Sequence, residues 1–112
     1  MKNKEAMRDC WECRDECQDM LFNHCLQQGG DHVAQPHVKI MTDCIEICQI
    51  TADFLRRKSP LSESLCSVCA EVCEECAKSC AQLGDKKMDK CAETCRQCAD
   101  SCRQVGGLRK AA

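Results

Sequence analysis

The second half of the chain has cysteine at the positions that face inward when a helix joins a bundle. Successive cysteines there are three or four residues apart in two series, Cys66, Cys69, Cys73, Cys76 and Cys80, followed by Cys91, Cys95, Cys98 and Cys102. At about 100° of rotation per residue, each series stays within roughly 80° on one helical face. The pattern predicts helices whose inward stripe is made of thiols.

Composition narrows the class of protein further. The 112 residues include fifteen cysteines, only 3% aromatic residues and no tyrosine, which leaves little material for an ordinary apolar core. The length predicts one domain over residues 1–112. A net charge of -2, with acids and bases interspersed, gives no basic stripe for nucleic acid. Because the sequence has no apolar run of secretory or membrane length, we expect a cytoplasmic protein without a membrane partner.

Disulfide pairing is the first alternative for so many cysteines. Stable disulfides are rare in a reducing compartment, and the number of cysteines is odd. Side chains three or four residues apart on a helix have Cβ atoms about 5 to 6 Å apart, whereas a disulfide needs about 3.8 Å. Neighbours on one helix therefore cannot pair, and only disulfides between helices stay open.

Glycine, proline and capping residues divide the chain into four helices. The predicted helices run from near Asn3 to Gln28, from Pro36 to about Lys58, from a Ser59 cap to Leu83, and from an Asp85 cap to a glycine end at Gly106-Gly107. Their connections are short, which is typical of antiparallel neighbours. We therefore predict an all-α fold, an antiparallel up-down-up-down four-helix bundle with a cysteine-lined core.

The first two helices continue the inward stripe with fewer thiols. Helix one contributes Cys10, Cys13, Cys17, Met20 and His24, and helix two contributes His37, Met41, Cys44, Cys48, Thr51 and Leu55. In such a bundle, the end of helix one meets the starts of helices two and four. The thioether and imidazole residues at that end are Met20, His24, His37, Met41 and Met88, with Cys25 at their border. We expect a thiol tube with one methionine and histidine mouth, and we interpret His32, in the loop, as a solvated side chain.

The chemistry of these ligands favours one metal ion. Soft thiolates and thioethers select Cu(I), zinc or iron-sulfur clusters. A monovalent ion cancels the charge of one thiolate, whereas a zinc ion held by four thiolates leaves two negative charges buried. Charge therefore favours several Cu(I) ions, which also accept nearly linear ligation by two sulfurs. Pairs four residues apart could supply it: Cys13 with Cys17, Cys44 with Cys48, Cys69 with Cys73, Cys76 with Cys80, Cys91 with Cys95, and Cys98 with Cys102.

Three other readings of the cysteines stay open at this point. A zinc-thiolate buffer is one, because stripes on four helices could bring four sulfurs together. An iron-sulfur protein is another, but the bacterial cluster motif has gaps of two, two and three residues and ends in Cys-Pro, whereas the segment 66–76 has gaps of two, three and two. A redox or catalytic role would need one activated thiol, and nothing distinguishes one cysteine from the rest. We therefore expect no enzymatic activity.

The repeats identify a family resemblance that covers nearly the whole chain. They are Cys10-Trp-Glu-Cys13-Arg-Asp-Glu-Cys17, Cys44-Ile-Glu-Ile-Cys48, Cys66-Ser-Val-Cys69-Ala-Glu-Val-Cys73-Glu-Glu-Cys76-Ala-Lys-Ser-Cys80, and Cys91-Ala-Glu-Thr-Cys95-Arg-Gln-Cys98-Ala-Asp-Ser-Cys102. With them the chain resembles the four-helix-bundle copper storage proteins of bacteria, in their cytosolic branch. The resemblance implies a homotetrameric store of many Cu(I) ions along each bundle axis. The chain departs from cysteine-richer members at Met20, His24, Thr51 and Leu55.

These observations predict a ligand set and a route of loading. The predicted metal ligands are Cys10, Cys13, Cys17, Met20, His24, Cys25, His37, Met41, Cys44, Cys48, Cys66, Cys69, Cys73, Cys76, Cys80, Cys91, Cys95, Cys98 and Cys102. At the mouth, Met20, His24, His37 and Met41 would capture Cu(I) and pass it to deeper thiolates, and a copper-delivery or efflux protein is a candidate partner. Because thiols must lose protons to bind, loading should weaken at low pH.

Overall fold

Four long helices make up the protein, as the sequence predicts. The computed structural model describes residues 1–111, with side chains over residues 1–106. Helix α1 covers residues 2–28 in three consecutive stretches, which are the α-helix Lys2–Met20, the π-helix Leu21–Cys25 and an α-helical turn Leu26–Gln28. A 3-10 turn, Gly30–Val33, precedes the other three helices, which are α2 (Gln35–Arg56), α3 (Ser62–Ala81) and α4 (Lys86–Ala111).

Each helix packs against two neighbours, and the four contacts close a ring in chain order. Sulfur pairs establish the direction of the helices. Along α2 and α3, Cys48 lies 3.8 Å from Cys69, and Cys44 lies 3.8 Å from Cys73, so the residue numbers run in opposite directions. The up-down-up-down bundle is therefore confirmed. Within residues 1–111, none of the helices combines the length and the apolar character that a membrane span needs.

Most helix ends lie where the sequence predicts them. Gly29 and Gly30, with φ angles of 69° and 55°, end α1 in the left-handed region that favours glycine. Asp85 caps α4, because its Oδ1 accepts a hydrogen bond from the backbone N–H of Met88 at 2.8 Å. The prediction that Ser59 caps α3 is wrong, because α3 begins only at Ser62. The Ser59 hydroxyl instead accepts a hydrogen bond from the N–H of Leu61 within the preceding turn.

The predicted end of the last helix at Gly106-Gly107 is wrong, because α4 continues to Ala111. The reason for a glycine at 106 is close packing. A Cβ there would lie 2.7 Å from the Glu63 carbonyl oxygen and 2.7 Å from Ser67 Oγ. Ser67 Oγ also donates a hydrogen bond to the Gly106 carbonyl oxygen at 3.0 Å. Glycine thus lets α4 approach the first turns of α3 more closely than any side chain would permit.

The core of the bundle is sulfur and small side chains. All fifteen cysteines are fully buried, together with Met41 and Met88. Buried alanines separate the thiols along the closely packed helices α3 and α4, at Ala70, Ala77, Ala92 and Ala99. At the end of the bundle away from the predicted mouth, the core residues are apolar or hydroxylic, and include Ala6, Thr51 and Leu55. Sulfur is therefore concentrated in the middle of the channel, and fewer core residues at this end carry it.

Candidate metal centre

The thiols of all four helices converge on the bundle axis. Sulfur atoms on different helices come as close as 3.5 Å, for Cys17 and Cys95, and Cys13 lies 3.6 Å from Cys44. All fifteen cysteines are free thiols, so pairing between helices, the alternative left open above, does not occur in the structure. The helices supply these contacts because the three-four spacing keeps every thiol of a stripe on the inner face.

Three groups of four cysteines have sulfur atoms within 4.8 Å of one another. The groups are Cys10 with Cys69, Cys98 and Cys102; Cys13 with Cys17, Cys44 and Cys95; and Cys13 with Cys48, Cys73 and Cys98. The third group shares Cys98 with the first and Cys13 with the second. Each shared sulfur can bridge two ions, so the arrangement is a connected ladder of ligands along the axis instead of a row of separate sites.

The spacing of sulfurs within one helix bears on the coordination geometry. Cys13 lies 4.0 Å from Cys17, and Cys69 lies 3.9 Å from Cys73. With a metal–sulfur bond of about 2.3 Å, trigonal ligation requires sulfurs roughly 4.0 Å apart, and linear ligation requires roughly 4.6 Å. These two of the six pairs that the sequence identifies for two-coordinate Cu(I) therefore already suit three-coordinate ions, and their sulfurs must move apart by about 0.6 Å for two-coordinate ones.

At one end of the ladder the ligands change from thiols to thioethers and an imidazole. Met41 Sδ lies 3.5 Å from both Cys76 Sγ and Cys80 Sγ. Beyond it, Cys25 Sγ lies 3.7 Å from Met88 Sδ and 3.5 Å from His37 Nε2. The structure thus brings together Met41, His37, Met88 and Cys25, all of which the sequence assigns to the mouth or its border.

His37 lies between this end of the ladder and the protein surface. The imidazole is 4% exposed and lies in the wall of a surface hollow of about 320 Å³, together with Asp31, Pro36 and Ser79. Ser79 Oγ lies 2.7 Å from His37 Nδ1. This contact orients the ring so that Nε2 faces the Cys25 sulfur. The sequence offered no signal for Ser79, because a serine beside a cysteine stripe is ordinary helix surface.

Met20 and His24 lie off the axis, contrary to the expectation that they continue the stripe of helix one. The π-helix Leu21–Cys25 has an additional residue in its turn, which moves the inward face along by one position. Leu21 and Cys25 are buried instead, while Met20 and His24 are only partly buried. Cys25, which an ideal α-helix leaves at the border of the stripe, is therefore fully inside the tube.

His24 and His32 meet outside the tube, at Asp85. His24 Nε2 lies 3.2 Å from Asp85 Oδ2, and His32 Nε2 lies 2.6 Å from the same oxygen. The His32 side chain is only 14% exposed, so the prediction of a solvated loop histidine is wrong. The reason is that the turn Gly30–Val33 folds back onto the N-terminus of α4, a contact between distant parts of the chain that local sequence does not reveal.

Burial and contacts with neighbouring side chains determine which thiols and imidazoles in the tube are protonated. Burial raises the pKa of Cys25 to about 11, and the nearby Cys80, Cys91 and Asp85 add to the increase. A hydrogen bond with Cys102, followed by burial, raises the pKa of Cys66. Burial also lowers the pKa of His37, with the charge of His32 as a smaller cause. At neutral pH the mouth therefore presents protonated thiol and neutral imidazole, the form of histidine that binds metal ions.

The thiols in the middle of the tube differ among themselves. Hydrogen bonds from Cys13, and then from Cys17, lower the pKa of Cys44. The contacts of Cys17 with Cys13 and Cys44 raise its pKa, and burial acts in the same direction. Neighbouring thiols therefore share protons, with one sulfur stabilised as thiolate by the others that donate to it.

The fold and the ligand ladder define a class of helical bundles that enclose metal ions in a thiolate core. A family model described as "Csp: Copper storage protein" matches residues 1–107, and the chain belongs to the copper storage protein family. The chain is 43% identical to a protein of known structure from Nitrosospira multiformis, with 96% of each chain covered and a TM-score of 0.91. That comparison extends over the whole bundle.

Two more distant structures share the fold. The Cu(I)-bound copper storage protein BsCsp3 is 24% identical, over 95% of this chain and 99% of that chain, with a TM-score of 0.87. A cytosolic copper storage protein from Streptomyces lividans, solved with five coppers, is 23% identical over 95% of this chain and 92% of that chain, with a TM-score of 0.85. The four-helix bundle is thus the fold of solved copper storage proteins.

Proposed function

We propose that this protein stores several Cu(I) ions in the cytosol, bound to the cysteine thiolates along the axis of its bundle. Membership of the copper storage protein family supports the proposal. So does the cytosolic copper storage protein of Streptomyces lividans, which has the same fold. The observation that carries it is the connected ladder, in which Cys13 and Cys98 each belong to two groups of four sulfurs.

The ladder favours Cu(I) over zinc because of the charge left on the buried thiolates and the number of ions that the sulfurs can hold. Without bridging sulfurs, only two of the three four-sulfur groups can hold ions at the same time, because the third shares a member with each of the others. Tetrahedral zinc would therefore leave many buried thiols unused and two negative charges at each site. Monovalent copper neutralises thiolates one for one, and bridging sulfurs let one thiolate bind two ions. Storage, with no catalytic step, is the activity that such a site supports.

We propose that copper enters at the end that contains His37. Neutral imidazole, the Cys25 thiol and the Met88 thioether would bind Cu(I) first. The ion would then pass to Met41 with Cys76 and Cys80, and from there to the all-thiolate ladder. Short sulfur-to-sulfur distances along this route support transfer by ligand exchange without opening the bundle. Met20 and His24 stay predicted ligands, but their positions off the axis give them no part in this route.

The decisive experiment is an anaerobic titration of the reduced apo-protein with Cu(I) against a competing chelator, with the bound metal counted by elemental analysis. Saturation well above two ions per chain is expected. Saturation at one or two would indicate a carrier or a sensor. In a parallel zinc titration, about two ions should bind to thiolates, the number of four-sulfur groups that do not share a cysteine.

Two serine variants sharpen this test. Cys13 belongs to two four-sulfur groups, whereas Cys66 belongs to none of them. Cys13→Ser should therefore lower the Cu(I) capacity by more than Cys66→Ser does, although each removes one buried thiol. Equal losses would argue against bridging sulfurs. Native mass spectrometry of the same samples would measure the oligomeric state, for which a homotetramer stays a prediction from family resemblance.

A further inference from the structure

A second group of metal-binding side chains lies outside the sulfur ladder. It consists of His24 from the π-helical part of α1, His32 from the turn Gly30–Val33, and Asp85 at the start of α4. One ligand atom from each lies within 4.8 Å of the other two. Three separate segments of the chain therefore converge on one point through nitrogen and oxygen donors, with no sulfur among them.

Two features of the chain bring these residues together. The π-helix turns His24 away from the axis and towards Asp85, as it turns Cys25 inward. The left-handed glycines Gly29 and Gly30 then reverse the chain and return His32 to the same carboxylate. The two imidazole rings meet edge to face with their centroids 5.3 Å apart, and both Nε2 atoms face Asp85 Oδ2.

We propose that His24, His32 and Asp85 form a second metal site, which binds one divalent transition ion such as Zn²⁺. Two imidazole nitrogens and one carboxylate oxygen suit borderline divalent ions and do not suit Cu(I), which prefers sulfur. The side chains are 11%, 14% and 34% exposed, so an ion can enter from solvent and retain a water molecule as its fourth ligand.

The distances require only a small adjustment for such an ion. With bonds of about 2.0 Å in tetrahedral geometry, ligand atoms lie roughly 3.3 Å apart. His24 Nε2 and Asp85 Oδ2 are already 3.2 Å apart, and His32 Nε2 must withdraw from its 2.6 Å contact by about 0.7 Å. Asp85 Oδ1 is held by the Met88 N–H, which orients the carboxylate and leaves Oδ2 for the ion.

The test uses protein whose thiols are already occupied. The chain is first saturated with Cu(I) without oxygen and its copper content is measured, and then Zn²⁺ is added while the ring nitrogens of the three histidines are followed by NMR. The Nε2 signals of His24 and His32 should shift and saturate at one equivalent, while those of His37 stay unchanged. Because copper is counted first, a failure of copper storage is seen separately from a failure of this site.

Two matched variants identify the site. Asp85→Asn retains a good helix cap but removes the anionic ligand, and should weaken Zn²⁺ binding at least about tenfold. Asp31→Asn removes an exposed acid from the neighbouring turn, and should leave Zn²⁺ binding unchanged. The proposal is overturned if micromolar Zn²⁺ leaves both rings unshifted, if His37 responds together with them, or if the two variants have equal effects. In that case the three residues are only a hydrogen-bonded cluster.

Discussion

Cys25 Sγ and His37 Nε2 face each other at 3.5 Å, across the end of the bundle where α1 stops and α2 begins. The contact depends on two local features. The π-helix turns Cys25 inward, and Ser79 fixes the His37 ring from its other nitrogen. This pair joins the surface hollow to the sulfur ladder, and is therefore the place where uptake of copper should be most sensitive to substitution.

Replacing His37 should slow copper uptake without removing the store. In His37→Ala, the rate of Cu(I) transfer from a chelator, followed by stopped-flow absorbance, should fall roughly tenfold, which corresponds to about 1.4 kcal/mol in the barrier. Capacity at equilibrium should be close to that of the unchanged protein, because the thiols remain. Thr51→Val, in the part of the core away from the mouth, is the control and should load at the normal rate. Equal rates in both variants would exclude entry past His37.

The affinity for Cu(I) should fall as the pH is lowered. Burial raises the pKa of Cys25 to about 11, and the pKa values of Cys66 and Cys98 are also raised, so these thiols are protonated at neutral pH. Each proton that copper displaces should weaken the apparent affinity by about tenfold per unit decrease in pH. Competition titrations at pH 6, 7 and 8 measure this slope, and a flat profile would mean that copper displaces no protons from these thiols.

The apo-protein should lose stability in alkaline solution. The folded-state pKa of Cys25 is about 11, above its ordinary value of 9.0, so folding favours the protonated thiol. Its stabilising contribution is complete below pH 9 and is lost as the pH rises from 9 towards 11, because the unfolded chain ionises first. Denaturant unfolding followed by circular dichroism should show this decline. Cys25→Ser, which does not ionise in that range, should decline less steeply.

Thr51 should be a site where the apo-bundle can be stabilised. Its side chain is fully buried, and Oγ1 has no hydrogen-bond partner among the described residues. Thr51→Val replaces the hydroxyl with a methyl group of similar size, which removes the cost of desolvation. The free energy of unfolding should rise by about 1 kcal/mol. A decrease would indicate that the hydroxyl has a partner in solution, such as a bound water molecule.

Gly106→Ala should destabilise the bundle, although alanine ordinarily stabilises a helix relative to glycine by about 1 kcal/mol. The new Cβ would lie 2.7 Å from the Glu63 carbonyl oxygen and 3.0 Å from the Ser67 backbone nitrogen, and these backbone atoms cannot withdraw easily. We expect a loss of about 1–3 kcal/mol in the free energy of unfolding. Gln104→Ala, at an exposed position on the same helix, is the control and should be close to neutral.

Much of the fold could be predicted because its signals are local and repeated. The three-four spacing of Cys66 to Cys80 determines both a helix and its inner face, and the glycines at 29 and 30 mark a real chain reversal. Gly106 shows where such reasoning is insufficient. The same residue type marks a helix end in one place and a close contact between helices in another, and only the position of α3 distinguishes the two roles.

By itself, the sequence determined that four helices would direct their thiols to a common axis, because a helix keeps residues three and four apart on one face whatever surrounds it. The tertiary structure alone decided which residues complete that axis. A π-helical turn is rare and has no sequence signature of its own, so no local pattern revealed that Cys25 would enter the tube. For the same reason, no local pattern revealed that His24 would leave the tube to join His32 and Asp85.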